Sequence, residues 1–173
     1  MTVYTKEFVI ETYVDEVTYG DITQQVKEAV EQSGIQVGMC LVVTAHTTCA
    51  VFFEEYTHDV DENGTELLQL DLNDGLEKIF PLHLSAASYR YPGEEHYREV
   101  ESWPDHEQWL PNGDRSLLWN GDAHLKATLL GASETFAVVG GQLAVGKTGY
   151  VYFVDFDRTR ERTRKYRVVI MGE

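Results

Sequence analysis

The sequence predicts an α+β fold, with mixed or antiparallel β-sheets in a sandwich-like core and a few short helices. Three observations predict it. Strand-like runs cluster toward the C-terminus, at Thr135 to Val139, Gly149 to Asp157 and Thr163 to Met171, with no helical pattern between them. Only three stretches carry helical spacing, and they do not alternate with strands as βαβ units would. The length, 173 residues with 43% apolar content, fits one domain with a real core, so residues 1–173 are read as a single domain.

The elements follow in order. Val3 to Val14 is rich in β-branched and aromatic residues and reads as a strand, broken at Gly20-Asp21. Asp21 is the expected N-cap of a helix, with Gln24 as its capping-box partner. Ile22, Val26, Ala29 and Val30 follow at helical spacing, and Gly34 is the expected stop. Val37 to Thr44 and Cys49 to Phe53 are dense apolar runs, read as buried strands. A second helix is expected over Thr65 to Phe80, with Leu68, Leu72, Leu76 and Ile79 on one face. A third, short helix is expected from Asp122, as N-cap, to Gly131. Gly140-Gly141 marks a hairpin turn.

Residues 81–121 differ from the rest. All four prolines, all three tryptophans and three of the six histidines lie there. The segment is expected to be a long irregular loop. Its aromatic content argues against disorder, and loops of that length are more often functional than idle.

Charge and composition exclude several function classes. With 14 basic and 29 acidic side chains the net charge is −15, which argues against a nucleic-acid partner or an anionic membrane surface. No apolar run reaches membrane-spanning length, and the alternating N-terminal stretch does not read as a signal peptide. Cys40 and Cys49 sit in apolar runs outside any Cys-x-x-Cys motif, so both are expected to be reduced, and a cytoplasmic location is expected.

Candidate chemistry gathers in three places. His46-Thr47-Thr48 lies between two predicted strands, and Glu54-Glu55 closes the second of them. Strand alternation sends Glu54 and Glu55 to opposite faces, and Glu55 is the chosen pocket carboxylate. In the second place, His124 falls in the first turn of its helix. The macrodipole there disfavours imidazolium and favours a neutral ring, as a metal ligand or general base requires. The third is the basic cluster of Arg158, Arg160, Arg162 and Arg164, set at alternate positions in an acidic chain. Arginine holds phosphate bidentately, so Arg160 is read as an anion ligand, while Arg162 and Arg164 are read as ion-paired surface or intersubunit residues. His83, His96, His106 and His58 are further histidines available to complete a metal site, and His96 is the one chosen.

Taken in order, His46-Thr47-Thr48, Asn120-Gly121-Asp122-Ala123-His124-Leu125-Lys126 and the run from Gly146 to Arg160 make the sequence resemble the YjbQ-like family, often labelled secondary thiamine-phosphate synthase. Residues that match the family pattern are His46, Thr47, Thr48, Glu55, His124, Gly146, Asp157 and Arg160. The chain departs from that pattern in carrying Glu54 in place of the family's Asn, His58 in place of an aspartate and Thr148-Gly149 in place of a Trp-Gln pair. It lacks the family's Tyr-x-His, for which Tyr91 to His96 is the nearest substitute. The resemblance implies a trimer-forming α+β enzyme that joins a pyrimidine diphosphate to a thiazole phosphate and releases pyrophosphate. It implies His46, Glu55 and His124 as catalytic residues and Thr47, Thr48, Arg160 and Gly146 as substrate-binding residues. A divalent metal (Zn or Mg) on His46, His124 and His96 is a further expectation. The rival expectations are a metal-dependent hydrolase of a small phosphorylated or ester substrate and a non-enzymatic trimeric ligand-binding protein.

Overall fold

A computed structural model describes residues 1–173. Eight strands form two antiparallel sheets. The larger contains β1 (Thr2–Thr12), β8 (Arg162–Gly172), β3 (Val37–Thr44), β5 (Ser133–Val139) and β6 (Gln142–Leu143), in that order. The smaller contains β2 (Thr18–Asp21), β7 (Gly149–Asp155) and β4 (Cys49–Glu55). The expected α+β class with a sandwich-like core is the fold observed.

Period-2 alternation explains the layering. Cys40 and Val42 on β3, Phe136 and Val138 on β5, and Tyr166, Val168 and Ile170 on β8 point inward. They meet Cys49 and Val51 on β4 and Val151 and Phe153 on β7, with helix α1 (Thr23–Ser33) packed against the same core through Val26, Ala29 and Val30. The opposite face of the small sheet is buried too. Ala50, Phe52, Tyr152 and Val154 pack against Leu76 of α2 (Leu67–Ile79) and against Ala123 and Ala127 of α4 (Gly121–Leu130). Covered on both faces, β7 reads as one continuous apolar run from Val151 to Val154.

Several local expectations are corrected. Gly20-Asp21 does not form a break but belongs to β2, paired with Tyr152 and Phe153. No capping box forms at α1: Asp21 Oδ1 accepts the Thr23 amide at 2.9 Å, while the Gln24 side chain bonds Glu28. Gly34 does stop α1, with a positive φ that glycine adopts without steric cost. Helix α2 starts two residues later than expected, because Glu66 is buried and its carboxylate accepts from the Tyr152 hydroxyl at 2.6 Å and the Thr57 amide at 3.0 Å. Ile79, expected on its buried face, is exposed. Asp122 is not the cap of α4. Asn120 holds that position, and Asp122 lies buried in the first turn with Lys126 Nζ 3.5 Å away.

The 81–121 segment is more ordered than a loop. It carries helix α3 (Glu94–Ser102) and three short 3-10 turns around a small core of Tyr97, Val100, Leu110 and Leu118. Both cysteines are free and buried, and no helix is long and apolar enough to cross a membrane.

Candidate functional site

At one end of the sandwich, four chain segments converge: the end of β3, the entry to β4, the end of β7 and the start of β8. The pairing of Cys49 with Asp155 and of Thr44 with Tyr166 fixes this convergence. Helix α4 brings its N-terminus to the same end, and the 81–121 segment closes over it. Between them lies a cleft of about 350 Å3.

Its floor is a polar network built from strand ends. Asp155, fully buried, accepts from Arg164 Nε at 2.6 Å and from the Thr48 hydroxyl at 2.9 Å, and Arg164 Nη2 donates to the same hydroxyl at 3.0 Å. Asp157 accepts from Arg162 Nη2 at 2.5 Å, from Asn120 Nδ2 at 3.0 Å and from the Thr159 hydroxyl at 2.6 Å. Burial alone would raise the Asp157 carboxyl, but Arg162 and these hydrogen bonds outweigh it and hold the pKa at about 2. Asp157 is therefore ionised at neutral pH, and each of the two carboxylates has an arginine partner.

Arg160 is different. It enters no ion pair with any carboxylate of the chain. Its Nη1 donates instead to the backbone carbonyls of Gln108, at 3.1 Å, and Trp109, and its guanidinium lies 5.2 Å from the Trp109 ring centroid. Burial, together with the charge of Arg162, brings its pKa down to about 10, still fully protonated at neutral pH. Arg160, Arg162 and Arg164 line the cleft against Asp157 there and Asp155 behind it, which leaves one net positive charge in a chain of net charge −15.

The wall of the cleft holds His124 in one tautomer. His124 Nδ1 lies 3.2 Å from the Thr47 carbonyl oxygen. That oxygen can only accept, so Nδ1 carries the proton and Nε2 keeps its lone pair. No group of the chain bonds that Nε2. Burial is the leading cause that lowers the His124 pKa. The neutral ring is thus as expected, but its cause is desolvation rather than the helix dipole. Tyr91 stands edge-on to His124, with centroids 5.5 Å apart, and its hydroxyl is 3.3 Å from His96 Nε2. Trp103 and Trp109, edge to face at 5.7 Å, complete an aromatic wall facing the arginine floor.

His46 also lines the cleft, but its Nε2 accepts the Lys165 backbone amide at 3.0 Å. A ring whose Nε2 accepts must carry its proton on Nδ1, so neither nitrogen is free for a metal. His96 and His124 remain, and no group of three or more His, Cys, Asp or Glu side chains is arranged to hold a metal ion. The donor set does not fit the divalent-metal site expected on His46, His124 and His96, since such sites need three or four ligands.

The cleft therefore brings together His46, Thr47, Thr48, His96, His124, Asp157 and Arg160. It does not include Glu55 or Gly146. Strand β4 runs away from the cleft, and its seven residues place Glu55, which is exposed, at the opposite end of the sheet from Cys49. At the rise of an extended chain that separation is roughly 20 Å. Gly146 precedes β7, whose far end holds Asp155, so it too lies at the opposite end, beside Lys27 and Gln142. His83 is buried beneath the Gly121 amide, which donates to its Nδ1 at 3.1 Å; His106 turns back to the Trp103 carbonyl and His58 lies tilted against the Tyr56 ring.

Sequence reasoning missed four members of the floor. Asp155, Asn120, Arg162 and Arg164 are site residues, and the two arginines hold inward ion pairs instead of surface or intersubunit ones. A signal was present. Asp155 and Asp157 end an apolar run two residues apart, and a buried acid at a strand end requires a cation. Arg162 and Arg164, also two apart, supply it.

The family model described as UPF0047 protein YjbQ-like matches residues 6–173. A UPF0047 protein of Methanothermobacter thermautotrophicus is 31% identical over all 173 residues and 95% of its own length. One from Archaeoglobus fulgidus is 34% identical over 142 residues, 82% of this chain and 83% of that protein. Among solved structures, a YbjQ-like protein of unknown function from Sulfolobus solfataricus aligns with a TM-score of 0.66 at 27% identity, covering 99% of this chain and all of that one. A protein of the yjbq/upf0047 family from Clostridium acetobutylicum, described as uncharacterized, aligns at 0.66 and 28% identity, covering 96% of this chain and 99% of that one.

Proposed function

The chain belongs to the UPF0047, YjbQ-like family, and from that premise we propose that the cleft is the active site of an enzyme acting on a small phosphorylated substrate. One observation carries the reading: a cation without a carboxylate partner, Arg160, and a neutral imidazole with a free Nε2, His124, face the same cleft of a strongly acidic protein. Such a protein repels anions, so an anion site must concentrate positive charge locally. In this reading Arg160 holds the phosphate group and the field of Arg162 and Arg164 stabilises negative charge that develops on a leaving oxygen. His124 Nε2 takes a proton from the attacking group and, once protonated, can return it to the departing oxygen, with the Thr47 carbonyl fixing its tautomer. Thr48 and Asn120 keep the floor rigid through Asp155 and Asp157.

The finer proposal is transfer of thiamine-phosphate synthase type in the cytoplasm, joining a pyrimidine diphosphate to a thiazole phosphate with release of pyrophosphate. The aromatic wall of Tyr91, Trp103 and Trp109 suits a flat heterocycle beside the arginine floor. Phosphorus NMR of the purified protein with both phosphorylated substrates tests it. Pyrophosphate release and a joined product support the synthase reading. Release of inorganic phosphate from either substrate alone indicates a hydrolase, and tight pyrophosphate binding without turnover indicates a ligand-binding protein.

We also propose that the protein works as a homotrimer. One end of the outer face of the large sheet is apolar, with Val3, Met171, Met39 and Ala137 in one cross-strand row and Val37 beside Val139, while Glu7, Lys165 and Arg167 form ion pairs farther along the same face. Val37, Met39 and Val139 are each more than half exposed, and such a patch marks an interaction surface. Light scattering at micromolar concentration should give three times the chain mass of 19.7 kDa; a monomer overturns the proposal.

A further inference from the structure

We propose that Arg160 is a latch, which a bound anion releases to free residues 103–113 over the cleft; this rests on the anion-binding reading above. Arg160 donates to two backbone carbonyls of that segment, at Gln108 and Trp109, and lies against the Trp109 ring. Every other hydrogen bond of residues 103–113 runs within the segment or to its neighbours in α3 and at Asp114. Arg160 is thus the one hydrogen-bonded tie between this segment and the strand-built floor.

The tie is of a kind that an anion displaces. Arg162 and Arg164 hold buried carboxylates, with hydrogen bonds of 2.5 Å and 2.6 Å, and a small anion does not easily win either away. Arg160 holds only neutral carbonyl oxygens. A charged phosphate oxygen attracts guanidinium more strongly than a neutral carbonyl oxygen does, and it offers the bidentate geometry that the carbonyl pair does not. Both ties run from Nη1, so an anion that docks bidentately across Nη1 and Nη2 competes for an N–H group that holds Gln108 or Trp109. Once it leaves, Trp109 loses its cation neighbour and the segment keeps only its small apolar core, in which Leu110 is its buried anchor. Occupancy of the cleft is in this way coupled to mobility of its cover.

Backbone amide hydrogen exchange on the full chain, with and without saturating inorganic pyrophosphate, tests the latch, with binding followed by calorimetry in the same buffer. Pyrophosphate should speed exchange at Trp109 and Leu110 by about tenfold or more, the effect of losing a hydrogen bond to a charged group. Arg160→Met should raise exchange there to at least the same level without any anion, and pyrophosphate should then add nothing. Binding of pyrophosphate to the wild type with unchanged exchange overturns the latch and leaves the anion reading standing. Failure of the wild type to bind pyrophosphate overturns both. Wild-type exchange rates in Arg160→Met, or undiminished pyrophosphate affinity there, overturn the latch as well.

Discussion

The two ends of strand β4 make opposite use of their polar groups. At the Cys49 end, carboxylates and arginines pair at the floor while Arg160 and His124 keep hydrogen-bonding capacity free toward a cleft. At the Glu55 end the buried carboxylate is already committed: Glu66 accepts from the Tyr152 hydroxyl and the Thr57 amide. Both ends are polar, and the two look alike in the sequence. What separates a site from a structural network is whether any group is left uncommitted at a surface a ligand can reach.

The comparison breaks most visibly through Arg164. Arg164→Leu leaves Asp155 buried without its cation, and removing one partner of such a pair costs about 3–5 kcal/mol. Denaturant unfolding measures this, and a loss below about 1 kcal/mol makes the floor dispensable. His124→Ala is the next largest and acts on the other axis. It should lower turnover by about a hundredfold or more, the usual contribution of a general base, while stability moves by about 1 kcal/mol or less. Large destabilisation with activity kept per folded molecule makes His124 a structural residue. Arg160→Lys keeps the charge but loses the fork, so pyrophosphate affinity should weaken by roughly 1–3 kcal/mol, read by calorimetry.

A smaller test uses pH. His124 and His46 both have folded pKa values below the free imidazole value, chiefly through burial, so the folded state binds fewer protons than the unfolded state. Their contribution to stability is full at neutral pH and falls as pH drops below about 6.5. Asp157 adds to this only in stronger acid: its contribution is present above the ordinary aspartate range and is lost as pH falls toward about 2. Nitrogen-resolved NMR titration of the two rings checks the first statement, and a midpoint above about 6.5 for His124 contradicts it. The smallest expected effect is that of Glu55→Gln, an exposed strand-end change worth at most about 0.5 kcal/mol, with activity unaltered. A clear loss of activity would bring the far end of β4 into the site, through another copy of the chain.

The sequence carried most of the fold because its signals were local. Strand β3 matches its apolar run residue for residue, and Gly34 ends α1 where a positive φ is needed. Helix α3 gives no such signal because its nine residues bury only Tyr97 and Val100, too few to set a period. Asn120 holds the cap of α4, and Asp122 sits in the first turn instead, beside Lys126 one turn on. The site was legible where motif residues and cleft coincide, at His46, Thr47, Thr48 and His124. It was illegible where position depends on strand register. Alternation put Arg162 and Arg164 on one face, but only their pairing with Thr12 and Ile10 of β1 shows that this face looks inward. Likewise, nothing local says which end of β4 the cleft occupies.

The Lys165 amide donates to His46 at the point where β3 ends, since the last β3 pairing is Thr44 with Tyr166. An imidazole thus supplies the acceptor that a further backbone residue would have offered. Strand β8 is zipped one tooth past its neighbour by a side chain, and only the unprotonated ring can engage that tooth. The mouth of the cleft is consequently fastened by a group that lets go in acid, at the place where Arg164 and the His-Thr-Thr segment must keep their spacing.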